Sequence, residues 1–487
     1  MATLKKQIKK VMLINPPGKI TLTEQGSRER KLAVPSLGLS YLAAVIEQKC
    51  EVQILDVLGE GYENERDFCG SILYGLSEEA IRNRIRSFNP DLVGVSCLFS
   101  NRGAEALNLC KIAREEAPTA HIVLGGQHPT GSPHLIRNPD IDYIIYGEAE
   151  NALVELIDCI NADGNLKNVS QIILEDHGNL FRSNTYKLPA VDKLPYPAWH
   201  YLDLQKYWDI GLADYEVSEG VKKFMVMIAS RGCPHACYFC TAPVMTDRKY
   251  RQRSVEDVVS EIRHNRSTHG INEVHFWDDN FFINKKRTKE LLRTLIREFP
   301  GMTFQVPSGS EINAIDEEII DLMAGAGFKK LFMAVESPNE ETQNDLIDKK
   351  VDLKRIGGLV EKLRSVGIIS EGSFMIGFPT ETKSQIDRTF ERATEFGFDR
   401  ISMCIVNPLP GTPLYDQCVD NNQLYPDFNP QNIRYSNENI KLDGVERGYI
   451  SERRRQVWLD YMKNRIDIQK YEMQNIAKDV PPKKDEE

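Results

Sequence analysis

Apolar residues in the first third of the chain come in short runs separated by stretches of helical periodicity. KKVMLINPP reads as a buried strand running into a Pro-Pro loop, SLGLSYLAAVIEQKC carries apolar positions at helical spacing, and EVQILDV is a second strand. SEEAIRNRIRSFN is amphipathic and opens on Ser77, an N-cap followed by acidic residues in the first turn. DLVGVSCLF, the helix ALNLCKIAREEAP, HIVLGGQH, DIDYIIYGEAE and the helix ALVELIDCI continue the alternation. Strands alternating with crossover helices predict an α/β, doubly wound (Rossmann-like) parallel sheet over residues 1–165, its ligand beyond the carboxyl ends of the strands.

Residues 166–221 read as a polar linker with short strands, including QIILED and the Pro-rich LPAVDKLPYPAW. A second α/β run fills residues 222–415, with strands at KKFMVMIAS, EVHFWDD, TFQVPSG, KLFMAVES, GSFMIGFP and RISMCIVNPLPG. Amphipathic helices separate them, and six βα repeats fit a (β/α)6 partial TIM barrel better than an open nucleotide fold. Residues 416–487 turn polar and form a C-terminal helical segment, where RRRQVWLDYMKNRIDIQKYEMQNIA reads as one long helix before a frayed tail.

Composition narrows the class. At 487 residues the chain holds about three domains, and 41% hydrophobic residues exclude a disordered or fibrous protein. Lys+Arg 61 against Asp+Glu 71 gives a net charge of −10, which offers no phosphate-tracking stripe and makes nucleic acid an unexpected partner. No apolar run approaches the ~18–20 residues that span a bilayer. The N-terminal MATLKKQIKKVMLINPP has too short an apolar stretch for a signal peptide, so the expected location is cytoplasmic, with no membrane partner.

The ten cysteines are too few and too scattered for a disulfide scaffold. Cys50, Cys69, Cys97, Cys110, Cys159, Cys404 and Cys418 stand apart and read as small buried apolar residues. Cys233, Cys237 and Cys240 stand together in MVMIASRGCPHACYFCTAP, in the loop after the first strand of the second α/β run. Thiolates so spaced can converge on one metal centre. A structural zinc site needs four ligands, no second Cys/His pair follows at matching spacing, and His235 fits no standard zinc pattern. Three thiolates on a four-iron cluster instead leave one iron open to an exogenous ligand.

Cys-x₃-Cys-x-Phe-Cys at the mouth of a six-fold βα repeat resembles the radical S-adenosylmethionine (radical SAM) enzymes, over roughly residues 222–415. The resemblance implies that Cys233, Cys237 and Cys240 hold a 4Fe–4S cluster whose open iron is chelated by SAM. It also implies that Phe239 lies against the adenine, that Asp278, with Asp279 beside it in EVHFWDDNF, holds the methionine amine, and that Glu336 and Ser337 of MAVESPNEE reach the ribose or methionine. Gly377 in GSFMIGFPTET is implied to let the adenine approach the backbone, and NPLPGTPLY to close the substrate side. The chain departs from relatives in PSGSEINAID, where Glu311 stands at a place they often fill with Arg.

LINPP, PSLGLSYLAA, DLVGVSCLFS, LGGQHPT and DYIIYGEAE, in this order, resemble the cobalamin-binding domain fused ahead of many radical SAM barrels, over residues 8–160. The implied cobalamin contacts are Pro17, Leu37, Gly38, Ser96, Gly125, Gly126, His128 and Glu148. The Asp-x-His-x-x-Gly of histidine-ligating relatives is missing: NPPGKITLT stands there. The benzimidazole tail is therefore expected to be displaced, with no histidine from that loop on cobalt. His128 is expected to make a turn or amide contact rather than to ligate.

Together these resemblances imply a cobalamin-dependent radical SAM methyltransferase acting at an unactivated carbon or phosphorus centre and using two SAM per turnover. The same machinery also serves oxidative cyclases and rearranging enzymes without methyl transfer. A non-catalytic cobalamin or metal sensor is a third reading. A methylthiotransferase fits less well, for neither a three-cysteine N-terminal domain nor a basic RNA-binding module is evident. The implied partners are a small-molecule substrate and an external one-electron donor of the flavodoxin or ferredoxin type.

Overall fold

The computed structural model describes residues 7–21, 31, 33–68, 71–176, 178–211, 217–218, 220–347 and 349–464. The later part of the long C-terminal helix read from the sequence, the tail after it and Cys69 lie outside them.

β1 (Lys10–Asn15), KVMLIN, is buried along its centre, as a strand covered on both faces must be. It lies within a seven-stranded sheet ordered β10-β9-β8-β7-β6-β1-β3. β3 (Glu51–Asp56), β6 (Leu92–Ser96), β7 (His121–Gly125) and β8 (Tyr143–Ile145) run parallel to it. α1 (Leu37–Ile46) and α6 (Glu150–Asn161) cover one face; α3 (Glu78–Phe88) and α4 (Gly103–Glu116) cover the other. Short α2 (Val57–Glu60) and α5 (Gln127–Gly131) follow β3 and β7. The strand order reverses at β1, so a ligand crevice opens beyond the carboxyl ends of β1 and β6.

Two features of this half were not anticipated. β9 (Ile172–Asp176) and β10 (Asn179–Arg182), from the stretch read as a linker, extend the sheet antiparallel beyond β8. A separate three-stranded sheet, β2 (Gly18–Thr21), β5 (Ser71–Tyr74) and β4 (Glu65–Phe68), packs beside the main one, where α7 (Leu204–Ile210) sends the Tyr207 hydroxyl to Asp56. β4 is exposed throughout and so carries no apolar alternation.

The second half is built of β11 (Phe224–Met227), β14 (Glu273–Phe276) and β15 (Thr303–Gln305), then β16 (Lys330–Glu336), β17 (Ile369–Ile376) and β18 (Arg400–Ile405), all parallel within their sheets. Bridges Phe304–Phe328 and Ser310–Met333 join the two sheets into one six-stranded partial barrel. α9 (Val255–His269), α10 (Lys285–Glu298), α11 (Glu317–Ala326), α12 (Ile356–Ser365) and α13 (Lys383–Glu395) wrap it. Side-chain N-caps at Ser254, Asn284 and Asp316, and a full capping box at Thr382, set four of their starts. A ribbon of β12 (Ser230–Arg231) and β13 (Arg251–Gln252) brackets the cysteine loop and α8 (Ala242–Thr246). α14 (Pro413–Asp420) and α15 (Tyr449–Asn464) follow β18.

One apolar core runs through both halves, from Ile8 and Val11 to Phe378 and Ile450. Along β17, Gly372 and Phe374 face outward onto Phe398. A Cβ at Gly372 would lie 2.5 Å from the Phe398 ring, which is fully buried. Gly357, on α12, has open space instead. Gly372→Ala should therefore cost about 1–3 kcal/mol in urea unfolding through overpacking, while Gly357→Ala should stabilise by about 0.5–1 kcal/mol. Equal effects of the two substitutions would contradict this packing.

Candidate functional site

The cysteine loop begins where β11 ends, and two neighbouring carboxylates fix its first turn. Asp278, two residues past β14, accepts from the Ala229 N–H at 2.9 Å and from the Ser230 hydroxyl. Asp279 accepts from the Gly232 N–H at 2.8 Å. Burial pushes the Asp278 carboxyl up to about 6 and raises Asp279 as well, against these donors. Gly232 has φ +81, and a Cβ there would meet the Lys249 carbonyl at 2.4 Å, so the turn into the loop requires glycine.

Between the two pinned positions Arg231 reaches across to the first half. Its guanidinium pairs with Glu148 at 2.9 Å and Glu150 at 2.6 Å and lies over the Tyr41 ring. Arg251, across the β12–β13 ribbon, takes the other Glu148 oxygen. Breaking a buried pair of this kind costs about 3–5 kcal/mol. Glu148 was expected to contact cobalamin; in the fold both its oxygens are engaged by arginines. Elsewhere on the same interface, Gly131 of α5 sits so close to Pro410 and Gly411 that a Cβ on it would lie 2.2 Å from the Pro410 carbonyl. The NPLPG segment is thus a close backbone contact between the halves.

Cys233, Cys237 and Cys240 are free thiols, half-buried, in this single loop. Asn280 Nδ2 approaches Cys233 Sγ at 3.8 Å, and the Ala242 N–H points at Cys240 Sγ at 3.4 Å. Among the described residues no three His, Cys, Asp or Glu side chains are gathered to hold a single metal ion. Three thiols with weak protein donors and no competing acidic ligand are a soft donor set, and they fit an iron–sulfur cluster. Inside the loop His235 meets Glu311 at 2.7 Å. Burial works to raise the Glu311 carboxyl, and the imidazole outweighs it and leaves it below its ordinary value. The acidic replacement noted in the sequence thus has a partner within the loop itself.

Glu336 closes β16 at a bulge with φ +66, a conformation that costs a non-glycine residue energy. Its carboxylate pairs with Lys349 at 2.8 Å, and Lys349 also donates to the Ala334 carbonyl. Ser337 is fully buried and accepts the Asn339 N–H. Phe239 and Tyr238 both face Phe378, with ring centroids 6.0 Å apart. Gly377 has φ +91, and its missing Cβ leaves room for Ile450 of α15. Glu381 accepts the Gly377 and Phe378 N–H groups through one oxygen, while its other oxygen has no partner among the described residues. Lys349 and Glu381 escaped the sequence reading, the first behind a π-helical turn (Thr342–Ile347) that shifts its register.

In the first half, Pro17, Ser96, and Gly125 with Gly126 follow or end β1, β6 and β7, three adjacent strands, so they share one rim. Leu37 and Gly38 open α1. Gly126 has φ +113, and a Cβ on it would lie 2.6 Å from the Cys97 carbonyl. His128 is buried with Nδ1 3.0 Å from the Ser100 hydroxyl, and burial lowers it to about 4, so it is neutral. Leu98 and Phe99, just past β6, are 52% and 54% exposed. Bare glycine backbone and two uncovered apolar side chains on one rim fit a large, flat, partly apolar ligand. In the sequence Leu98 and Phe99 carry no signal of their own, because apolar side chains are as ordinary at a strand end as on a ligand face.

Two family models match the chain: the radical SAM superfamily over residues 227–393 and the B12 binding domain over residues 27–157. The chain belongs to the radical SAM enzymes that carry a B12-binding domain, and its cofactors are a 4Fe–4S cluster, SAM and cobalamin. It is 30% identical to cytidylyl-2-hydroxyethylphosphonate methyltransferase of Streptomyces wedmorensis, an alignment covering 90% of this chain and 87% of the relative. It is 25% identical to the anaerobic magnesium-protoporphyrin IX monomethyl ester cyclase of Rubrivivax gelatinosus, covering 79% and 68%. The fold is shared with the radical SAM methyltransferase TsrM from Kitasatospora setae, solved with cobalamin and a 4Fe–4S cluster (TM-score 0.66, 18% identity, 85% and 78% of the chains). It is also shared with the cobalamin-dependent radical enzyme OxsB (TM-score 0.70, 17% identity, 98% and 69%). The α/β sheet-plus-barrel fold read from the sequence is borne out. No helix among the described residues is long and apolar enough to cross a membrane.

Anaerobic reconstitution should load about four irons on the wild-type protein. The triple Cys233→Ala, Cys237→Ala, Cys240→Ala variant should fold and load none. A cluster retained by the variant would contradict the assignment. Burial pushes the Glu381 carboxyl up from 4.5 to about 7, so the folded protein keeps a proton that the unfolded chain loses. Its contribution to stability is present below pH 4.5 and is lost as pH rises toward 7. Glu381→Gln should remove a decline of at most about 3 kcal/mol from the cluster-free protein over that window, and an unchanged slope in urea titrations would contradict it.

Proposed function

We propose that this chain is a methyltransferase that moves a SAM-derived methyl group to an unactivated carbon or phosphorus centre of a small molecule. The observation that carries the reading is the direct junction of the thiol loop to the first domain, through Arg231 and the pair Glu148 and Glu150. The 30% identical relative named as a phosphonate methyltransferase supports it further. When bound, the cluster and SAM supply hydrogen abstraction and cobalamin supplies a methyl carrier.

The protein's own residues bind and orient. Cys233, Cys237 and Cys240 are the proposed cluster ligands, and Asp278 and Asp279 hold the backbone that presents them. Phe239, Glu336, Ser337 and Gly377 are the proposed SAM-side residues, with Lys349 neutralising Glu336 inside the barrel. Pro17, Leu37, Gly38, Ser96, Gly125 and Gly126 form the proposed corrin rim, and neutral His128 is a contact rather than a metal ligand. The proposed first domain runs past residue 165 through β10, which completes its sheet, and the barrel is bounded at 221 and 415. A flavodoxin- or ferredoxin-type protein is the proposed electron donor, and the cytoplasm the proposed location.

The 25% identical cyclase favours a second reading, oxidative cyclisation or rearrangement without methyl transfer. Stoichiometry separates them. With SAM carrying a deuterated methyl group, each turnover should yield labelled product, one S-adenosylhomocysteine and one 5′-deoxyadenosine. Substrate consumed with 5′-deoxyadenosine but with no label and no S-adenosylhomocysteine would replace the methyltransferase by the rearrangement.

A further inference from the structure

The parallel register along β17 and β18 divides their side chains between two faces. Gly372 and Phe374 face outward, so Glu371, Ser373 and Met375 face the barrel interior, in register with Arg400, Ser402 and Cys404. β18 is the last barrel strand, and α15 lies against it. Between them opens a cavity of about 430 Å³ lined by Glu371, Ser402, Met403, Ser451 and Arg454, among others. Its volume is that of a small-molecule pocket.

The charges in this cavity are unequal. Glu371 is taken by Lys330 at 2.7 Å. Arg454 donates Nε to the Met403 carbonyl at 2.7 Å, which fixes the plane of its guanidinium. The other nitrogens of that guanidinium have no protein acceptor among the described residues. Its neighbours are otherwise spent: Arg453 pairs with Asp387, and Arg455 with Glu452. A planar guanidinium held by one edge and free along the other is suited to two-point binding of an oxyanion. The Ser402 hydroxyl is a further donor beside it, whereas the Ser451 hydroxyl donates to the Ser436 carbonyl. On the interior side the Ser402 hydroxyl lies 4.0 Å from the thiol of Cys404, the next residue on the same face of β18.

Resting on the methyltransferase reading above, we infer that this flank of the barrel is the substrate pocket and that it takes a small molecule bearing an oxyanion, anchored by Arg454. Phosphonate, phosphate and carboxylate share this chemistry. Isothermal titration of the reconstituted holoenzyme with methylphosphonate, inorganic phosphate and acetate separates them, and at least one should bind one-to-one. Arg454→Gln should weaken that binding tenfold or more, and Arg453→Gln, one residue away, should change it less than twofold. Arg454→Lys keeps the charge without the two-point geometry and should bind between wild type and the glutamine variant, which guards against a glutamine variant that melts early. Equal binding by wild type and Arg454→Gln, or a folded lysine variant as weak as the glutamine one, would overturn the inference. So would a wild-type enzyme that cleaves SAM reductively yet binds none of the three anions. Wild-type protein unable to cleave SAM would instead overturn the reading on which the inference rests.

Discussion

Arg231 is the residue on which the arrangement of the two halves depends. It stands two positions before Cys233, its flanking backbone is pinned by Asp278 and Asp279, and its guanidinium is buried against Glu148 and Glu150 of the first domain. A charge so placed is tolerated only with its partners in position, because the cost of stranding it exceeds most single contacts in a protein. The cysteine loop is therefore held from two sides, by its own barrel and by the neighbouring domain. The close backbone approach of Gly131 to Pro410 and Gly411, and one apolar core shared by both halves, act in the same sense.

This constraint explains the interior beneath the loop. The cysteines sit at the rim, with the His235–Glu311 pair beside them and the strained Glu336 with Lys349 on β16. Further in lie Ser373, Ser402 and Cys404, and the flank is walled by α15 through Arg454. A barrel interior with this many polar groups is poorly suited to being a simple packed core, since each buried polar atom must be satisfied. It is suited to ligands that complete the set.

How much of this was legible in the sequence follows from the range of each interaction. The cysteine cluster was legible because its three thiols lie within eight residues, and the glycines because a turn declares itself locally. The parallel strands of both halves were legible from buried apolar runs such as KVMLIN and FMVM. The Arg231–Glu148 pair was not, for 83 residues separate its partners, and Glu148 alone looked like a rim residue. The β2–β5–β4 sheet was missed because β4 is exposed on every residue and lacks a period-two pattern. Arg454 was hidden in a run of arginines, where only the fold tells which one lines the cavity without a carboxylate partner.

With Arg231 and the shared core between them, the two cofactor-binding halves behave as one unit. Thermal unfolding of the holoenzyme, followed in the same sample by corrin absorbance and by iron–sulfur absorbance, measures this directly. Coincident transitions at both wavelengths are the predicted result, because neither half can release its ligand without stranding Arg231 and opening the shared core. Loss of corrin absorbance in a separate transition, with the cluster signal intact, would contradict it.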